Sequence, residues 1–358
     1  MRIAHISDSH LGCSMFQLSE RREDARKCFK KALDMALRKS PDLLVHTGDL
    51  FHDSLPQNDD LNFVIKALKE AGDSTDLFVL QGNHDQPYGY RYRHSPLVGL
   101  ETMGLFTSTG EEPYRVVKRE YDGKKAEIHL HSWASSSHLQ RVLHDYQPGG
   151  NLNLFFAHDI PFEWDSLPVS FDYYGCGHKH TFKLDRENCV GRPGSTCYVN
   201  WKTERKGSKK LIVIEADSKG CDFEEETLND VREFKFVPPV DITRMNAKQA
   251  ENAIRAKIDE IVPKKKDPIV ILEVNGTVDA ETEKNMKRTE VIRYGEKKLN
   301  PLFLHVEANW VSRVPDEITF SEPLDVERSV DEYMIGTKDE RREQVLEKMP
   351  IILGGRRG

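Results

Sequence analysis

Histidine and acidic side chains fall along this chain in a pattern suited to holding metal ions. Five short elements carry it: Asp8-x-His10, Gly48-Asp49 with His52, Gly82-Asn83-His84-Asp85, His158, and Gly177-His178-x-His180. The candidate donors are Asp8, His10, Asp49, Asn83, His158, His178 and His180, a mixture of imidazole and oxygen without sulfur. Such a set suits Mn²⁺, Fe²⁺ or Zn²⁺ better than Ca²⁺ or a cysteine-rich structural zinc. Seven donors are too many for one ion and suit two that share a bridging carboxylate. Two ions about 3.5–4 Å apart clamp the attacking and leaving oxygens of a phosphoester during in-line displacement. The chemistry expected is metal-assisted hydrolysis of a phosphoester.

Taken singly, each element has a plainer reading. An Asp-x-His pair is common by chance, Gly-Asp often marks only a turn, and a lone His158 would more often be a satisfied core histidine. All five in order, each at the end of a predicted strand, set those readings aside. His5, His46, His129 and His131 fall within predicted strands and are assigned to packing. His94, His138, His144 and His305 are assigned to the surface or to caps.

The elements that must position these donors alternate in the first half of the chain. Arg2 to Ser7 is a short apolar strand ending at Asp8. Ser19 caps a helix with Ala25, Cys28, Phe29, Ala32 and Ala36 on one face, stopped by Pro41. Leu43 to Val45 runs into Gly48-Asp49. A helix from Asn58 to Ala71 ends at Gly72, and Leu77 to Leu80 delivers Gly82-Asn83-His84-Asp85. After about residue 105 the pattern turns to strands: Ala126–His131, Asn153–Ala157, Phe171–Tyr174, Thr196–Trp201 and Leu211–Glu215. Chain ends at the carboxyl edge of such sheets are where α/β enzymes build sites.

A boundary is expected at Phe236-Val237-Pro238-Pro239. Beyond it a helix capped by Asn246 carries Ala250, Ile254, Ile258 and Ile261. A strand Ile269–Val274 closed by Asn275-Gly276, a helix Ala280–Thr289 and a strand Leu302–Val306 follow. The expected class is α/β: a two-sheet sandwich flanked by helices over residues 1–236, then a small α+β domain over 237–310. The tail, 311–358, carries two candidate helices, Leu324–Met334 and one opened by the capping box Thr337-x-x-Glu340.

Composition sets the outer bounds. The 358 residues carry 52 Lys and Arg against 59 Asp and Glu, a net charge of −7, which excludes a small polybasic nucleic-acid module. It does not exclude an enzyme with a local basic surface. Six cysteines without a C-x-x-C pair argue against a zinc knuckle and fit reduced thiols. No apolar run reaches membrane-span length and the N-terminus lacks a signal-peptide pattern, so a soluble, cytoplasmic protein is expected.

The ordered set D-x-H, G-D, G-N-H-D, H and G-H-x-H resembles the calcineurin-like metallophosphoesterase superfamily. Ile6-Ser7-Asp8-Ser9-His10-Leu11-Gly12, Arg21-Arg22-Glu23-Asp24 and Gly48-Asp49-Leu50-Phe51-His52 are similar to the double-strand-break-repair nucleases of the SbcD and meiotic-recombination-eleven (Mre-eleven) type. The resemblance spans residues 1 to about 215 by motif and reaches about 310 through the small capping domain. It implies two Mn²⁺ per subunit, with Fe²⁺, Zn²⁺ or Mg²⁺ as alternatives. Asp8, His10 and His180 would hold the first ion, Asn83, His158 and His178 the second, and Asp49 would bridge. His84 would face the scissile phosphate, Asp85 would orient His84, and His52 would serve exonuclease action on duplex ends. The implied activities are 3′→5′ exonuclease on double-stranded DNA and endonuclease on single strands. Two departures stand out: Asp159 after His158, and a short interval from His158 to His178.

Tyr88, Tyr90, Arg91 and Arg93, just after His84, are expected to contact DNA, arginine to phosphate and ring to sugar or base. Lys264-Lys265-Lys266 is either a backbone-tracking patch or a solvated turn. The resemblance also implies that the helix Asn58–Ala71 and the segment Leu97–Leu100 lie where these nucleases dimerise. Leu61, Leu68, Leu97 and Leu100 either form a small apolar seam there or, as the more frequent reading, in part face the core. The tail helices, with Val326, Val330, Tyr333, Val345 and Leu346, are expected to dock an SMC-like ABC ATPase of the SbcC or Rad-fifty type. Two rivals to the nuclease remain open at this point. One is a phosphodiesterase of small phosphoesters or cyclic nucleotides. The other is a structural DNA-end tether.

Overall fold

The computed structural model describes residues 1–87, 94–147 and 149–313. Three parallel strands begin the first sheet: β1 (Arg2–Ile6), β2 (Leu43–His46) and β3 (Asp76–Val79), joined by α1 (Ser19–Leu37) and α2 (Asn58–Gly72). After α3 (Pro96–Thr102), strands β4 (Tyr114–Tyr121) and β5 (Lys124–His131) form a hairpin. Helix α4 (Ser136–Asp145) leads to β6 (Leu152–Ala157), β7 (Tyr173–Cys176), β8 (Lys183–Asp185) and β9 (Val190–Arg192). The antiparallel pair β10 (Lys210–Asp217) and β11 (Gly220–Thr227) returns to the first sheet, whose order is β11-β10-β1-β2-β3. The second sheet runs β4-β5-β6-β7-β9-β8.

Successive residues of a strand point to opposite faces, and the central strands β1, β2, β6 and β7 read as near-continuous apolar runs because both of their faces are covered. Ile3, Leu43, Val45, Ile212 and Ile214 meet Ile128, Leu130, Leu154, Phe156 and Tyr173 between the sheets. The alternate residues Ala4, Leu44, Leu211 and Val213 face Phe29, Ala32, Leu33, Val64 and Leu68 of α1 and α2. Phe155, Ala157, Tyr174 and Cys176 face Leu139 and Leu143 of α4. Each such fully buried side chain contributes about 1.5–3 kcal/mol. The result is the expected sandwich of two sheets flanked by helices, and all six cysteines are free thiols.

A third sheet, β12-β13-β14, is built from β12 (Phe234–Asp241), β13 (Ile269–Asp279) and β14 (Phe303–Arg313). Its strands are parallel, with α5 (Ala247–Asp259), α6 (Ala280–Asn285) and α7 (Arg288–Leu299) on the crossovers. Helices and strands therefore alternate here rather than segregate. The capping box of Asn246 with Gln249 opens α5 as the sequence indicates. The unit seats on the sandwich through Trp201, Phe234, Ile269 and Ile271, with Tyr198 and Phe303 packed alongside. Arg232 adds a clamp, donating to both oxygens of Asp24 and to the Asp267 carbonyl.

Several local expectations need correction. Ser19 is the first helical residue rather than the cap, which is Leu18 without a side-chain bond. Residues 236–239 lie within strand β12, whose pairing with β13 shifts register between Val237 and Val240. Asn275-Gly276 does not close β13, which continues to Asp279. Gly276 has φ +143°, and a Cβ there would lie 2.8 Å from the Thr243 nitrogen, so it permits a close crossing within the strand. The helix expected over 280–289 is broken into α6 and α7. Thr196–Trp201 is not a strand, because Glu204 gathers the N–H groups of Val199 and Asn200 into a loop. Strands β4, β8, β9 and β11 and helices α3 and α4 were not foreseen. His305 lies on β14, bonded to Glu307, not on an outer surface or cap. Of the two readings of the leucines of α2 and α3, the core-facing one holds for Leu68, Leu97 and Leu100, while Leu61 is partly accessible.

Candidate metal centre

Every candidate donor follows a strand end. Asp8 and His10 follow β1, Asp49 follows β2, and Asn83 and His84 follow β3. From the second sheet, His158 follows β6, and His178 and His180 follow β7. The two sheets thus bring their donor-bearing edges together. Close approach needs the motif glycines: a Cβ on Gly82 would lie 2.1 Å from Asp49 Oδ1, and one on Gly177 2.2 Å from Ser7 Oγ. Asp8, His10, Asp49 and His178 all have positive φ, between 44° and 66°. Each such residue stores about 1 kcal/mol or more of backbone strain, the kind that collects at functional sites.

Among the described residues, three close groups of possible ligands result, one of them the histidines His10, His52 and His84 and the other two built from the expected donors. Ligand atoms of Asp8, His10, Asp49 and His180 all lie within 4.8 Å of one another, as do those of Asp49, His158 and His178. Asp49 belongs to both. Its Oδ2 lies 3.5 Å from His10 Nε2 and 3.5 Å from His158 Nε2. Asn83 Oδ1 joins the second set, 3.1 Å from His158 Nε2 and 3.0 Å from His178 Nδ1.

Whether the donors fit metal ions is decided by their lone pairs. His158 Nδ1 donates to the Thr47 carbonyl at 2.8 Å, which turns Nε2 toward Asn83 and Asp49. His180 Nδ1 donates to Glu204 Oε1 at 3.0 Å, and its Nε2 faces His10 Nε2 at 3.0 Å. Asp8 Oδ2 is buried without a hydrogen-bond partner. Two carboxylates, an amide oxygen and four imidazoles converging here, with an orphaned carboxylate oxygen among them, call for positive charge between them. The donor set therefore fits two divalent ions.

Electrostatics agree. Burial alone would raise the Asp49 carboxyl, but the protonated His158 ring beside it and the His84 N–H hold it below the usual carboxylate range, and Asp49 in turn pushes His158 up to about 9 against the pull of burial. Burial pushes His10 well down, keeping it neutral. Glu204 would also be raised by burial, yet His180 and Lys209 bring it down to about 2.

His84 sits beside the first set. Its N–H donates to Asp49 Oδ1 at 2.9 Å, and its Nδ1 donates to the His52 carbonyl at 2.7 Å. Its ring meets His10 edge-on at 4.7 Å and stacks on His52 at 5.4 Å. His52 Nδ1 is 3.3 Å from His10 Nδ1. Asp85 does not orient His84. It is buried and accepts the N–H groups of Leu50, Phe51 and Gly82, tying the β2 and β3 loops together.

Of the packing histidines, His5 has both ring nitrogens bonded, whereas His46 Nδ1 and His129 Nε2 are buried without a partner among the described residues. His5 bonds Tyr173 and Thr47, His46 bonds Ser9, and His129 bonds Tyr114. Asp159 is outside the donor sets and lines a cavity of about 220 Å³ with Trp133 and Pro161. Lys265 Nζ is occupied by the Asn229 and Val231 carbonyls. Tyr88, Tyr90, Arg91 and Arg93 lie outside the described residues, as do the tail helices. Sequence reasoning missed Glu204, which no local motif marks, and Trp133, whose ring lies 5.0 Å from His178.

A carboxylate shared between two nitrogen-rich donor sets, on the joined edges of a two-sheet sandwich, is what a dinuclear phosphoesterase requires. Residues 1–214 match the family model of calcineurin-like phosphoesterases. The chain belongs to that family. Within it, the chain is similar to the DNA double-strand break repair protein Mre11 of Thermoplasma acidophilum, 27% identical over 302 residues covering 78% of each chain. Mre11 of Saccharolobus solfataricus is 28% identical over 303 residues, 77% of this chain and 75% of the relative. Mre11 of Sulfolobus acidocaldarius is 25% identical over 314 residues, 82% and 80% respectively. These alignments extend past the phosphoesterase segment. Among the described residues, no helix is long and apolar enough to cross a membrane.

Proposed function

We propose that this chain is a two-metal DNA nuclease of double-strand-break repair. It would remove nucleotides 3′→5′ from duplex ends, cut single strands, and work best with Mn²⁺. The observation that carries the reading is the pair of donor sets joined by Asp49, with His84 alongside and similarity to Mre11 proteins over most of the chain. Asp8, His10, Asp49 and His180 would hold one ion, and Asp49, Asn83, His158 and His178 the other.

When bound, such a pair supplies positive charge to the phosphoryl oxygens and acidifies a water. The rest is done by the chain. With its Nδ1–H committed to the His52 carbonyl, His84 has Nε2 as the ring atom that takes or gives a proton. That places it to stabilise charge on the phosphate or to protonate the departing 3′-oxygen. The strained loops around Asp8, His10 and Asp49 fix the donors before substrate arrives. Duplex DNA as substrate, a homodimeric cytoplasmic state and an SMC-like ABC ATPase of the SbcC or Rad-fifty type as partner are supported by the likeness to the SbcD and Mre-eleven nucleases. Digestion of end-labelled duplex DNA by metal-stripped protein, with and without added Mn²⁺, tests the reading.

A further inference from the structure

Outside the donor sets, the most heavily engaged acid in the sandwich is Glu204. It is 2% exposed, although it sits in a run of basic and polar residues. Oε1 receives the Nδ1–H of His180 at 3.0 Å and the backbone N–H groups of Val199 and Asn200. Oε2 receives Ser195 Oγ at 2.9 Å and the Lys209 ammonium. Lys209 is itself 7% exposed and also donates to Ser195 Oγ at 2.7 Å.

This is more than a buried ion pair needs. A Lys–Glu pair could be satisfied by Lys209 and Ser195 alone, whereas the second oxygen is turned to the far nitrogen of a candidate metal ligand. A carboxylate bonded to the outer nitrogen of a ligating histidine fixes its tautomer and ring plane and makes the inner nitrogen more basic. Each donor on Glu204 removes a direction in which its carboxylate could rotate. The ring of His180 is thereby held with Nε2 toward His10 and Asp49. The other histidine of the same kind, His158, is held only by the neutral Thr47 carbonyl.

We infer that Glu204 is a positioning residue for His180, and that it sets the affinity of the first metal position, that of Asp8, His10, Asp49 and His180, selectively over the second. The loop it pins is also the seat of the small unit. Trp201 packs on Ile269 and Ile271, Lys202 pairs with Glu307, and Arg205 pairs with Glu273. The inference rests on the two-metal reading of the site.

The test is calorimetric titration of metal-stripped full chain with Mn²⁺, with Co²⁺ absorption as a second readout. The variants are Glu204→Gln, Lys209→Met and the double variant. The single Glu204→Gln change leaves a buried ammonium facing an amide and is expected to lower stability. The double variant removes both charges and restores it. The double variant is expected to bind one ion about 10–100-fold more weakly than wild type, with the other unchanged. Its Co²⁺ spectrum should be altered at the weakened step. Lys209→Met alone keeps the carboxylate on His180 and should keep both affinities. Wild-type affinities for both ions in the folded double variant would overturn the inference and leave the two-metal reading intact. Equal weakening in Lys209→Met and the double variant would also overturn it, by assigning the effect to packing. A wild type that binds fewer than two ions would overturn the two-metal reading and this inference with it.

Discussion

His84 takes its orientation from the main chain of His52: the Nδ1 proton of one lies on the carbonyl oxygen of the other at 2.7 Å, and the two rings stack at 5.4 Å. The carboxylate next to His84 in sequence has a different task. Asp85 holds three backbone N–H groups of the loops that carry Asp49 and Asn83. The proposed acid–base group, His84, and the scaffold group, Asp85, are therefore separable by substitution. His84→Ala is expected to reduce hydrolysis by about 10²–10⁴-fold with metal content unchanged. Asp85→Asn turns an acceptor into a partial donor against those N–H groups and should cost about 1–3 kcal/mol of stability. Equal thermal stability of Asp85→Asn and wild type would contradict the assignment.

The same bond makes a prediction for His52. Because a carbonyl and not a side chain fixes His84, His52→Ala leaves His84 oriented and removes only the imidazole. Hydrolysis of bis-p-nitrophenyl phosphate should survive within a few-fold, while processing of duplex ends fails. Parallel assays on the two substrates decide it, and equal loss on both would remove the special role of the ring.

Gly82 marks how closely the β2 and β3 loops approach. Gly82→Ala would press a methyl group to 2.1 Å from Asp49 Oδ1, so the carboxylate proposed to bridge must move. Overpacking of this kind costs about 1–3 kcal/mol. Metal analysis of the purified variant should show fewer ions per chain than wild type. An unchanged stoichiometry would mean that Asp49 does not bridge.

Four buried histidines make stability depend on acid. Burial lowers His5 and His46 to about 3, and His129 and His131 to about 4. The unfolded chain binds protons near pH 6.5, where the folded one does not. Stability therefore falls as pH drops through the window between about 6.5 and 4, by up to about 1.4 kcal/mol per pH unit for each histidine. His129 faces Glu127, Lys118 and Tyr114, and His131 faces His138. Urea unfolding of metal-stripped protein at pH 7.5 and 5 should show the decline, and His129→Gln with His131→Gln should flatten it. Parallel declines in wild type and the double variant would exclude these two rings as the cause.

Much of this site is readable in the chain because each donor directly follows a short apolar run. Ile3 to Ile6, Leu43 to Val45, Leu77 to Val79 and Asn153 to Ala157 declare strands by burial on both faces, and the donors come next. What is not readable depends on non-local partners. Glu204 meets His180 from 24 residues away in sequence. Asp85 looks like a companion of His84 until Leu50 and Phe51 are seen to claim it. Thr196–Trp201 has strand-like composition, yet its N–H groups go to a carboxylate. Leu97 and Leu100 look like a surface seam because an apolar pair in a short helix gives no sign of which side the core lies on.

The central claim is that the two donor sets and His84 hydrolyse DNA. Metal-stripped protein given Mn²⁺ and blunt duplexes labelled at the 3′ or the 5′ end, beside His84→Ala, tests it most directly. The account predicts stepwise loss from 3′ ends that requires Mn²⁺ and is absent in the variant. DNA left intact by a wild type that binds two ions and hydrolyses small phosphodiesters would contradict it.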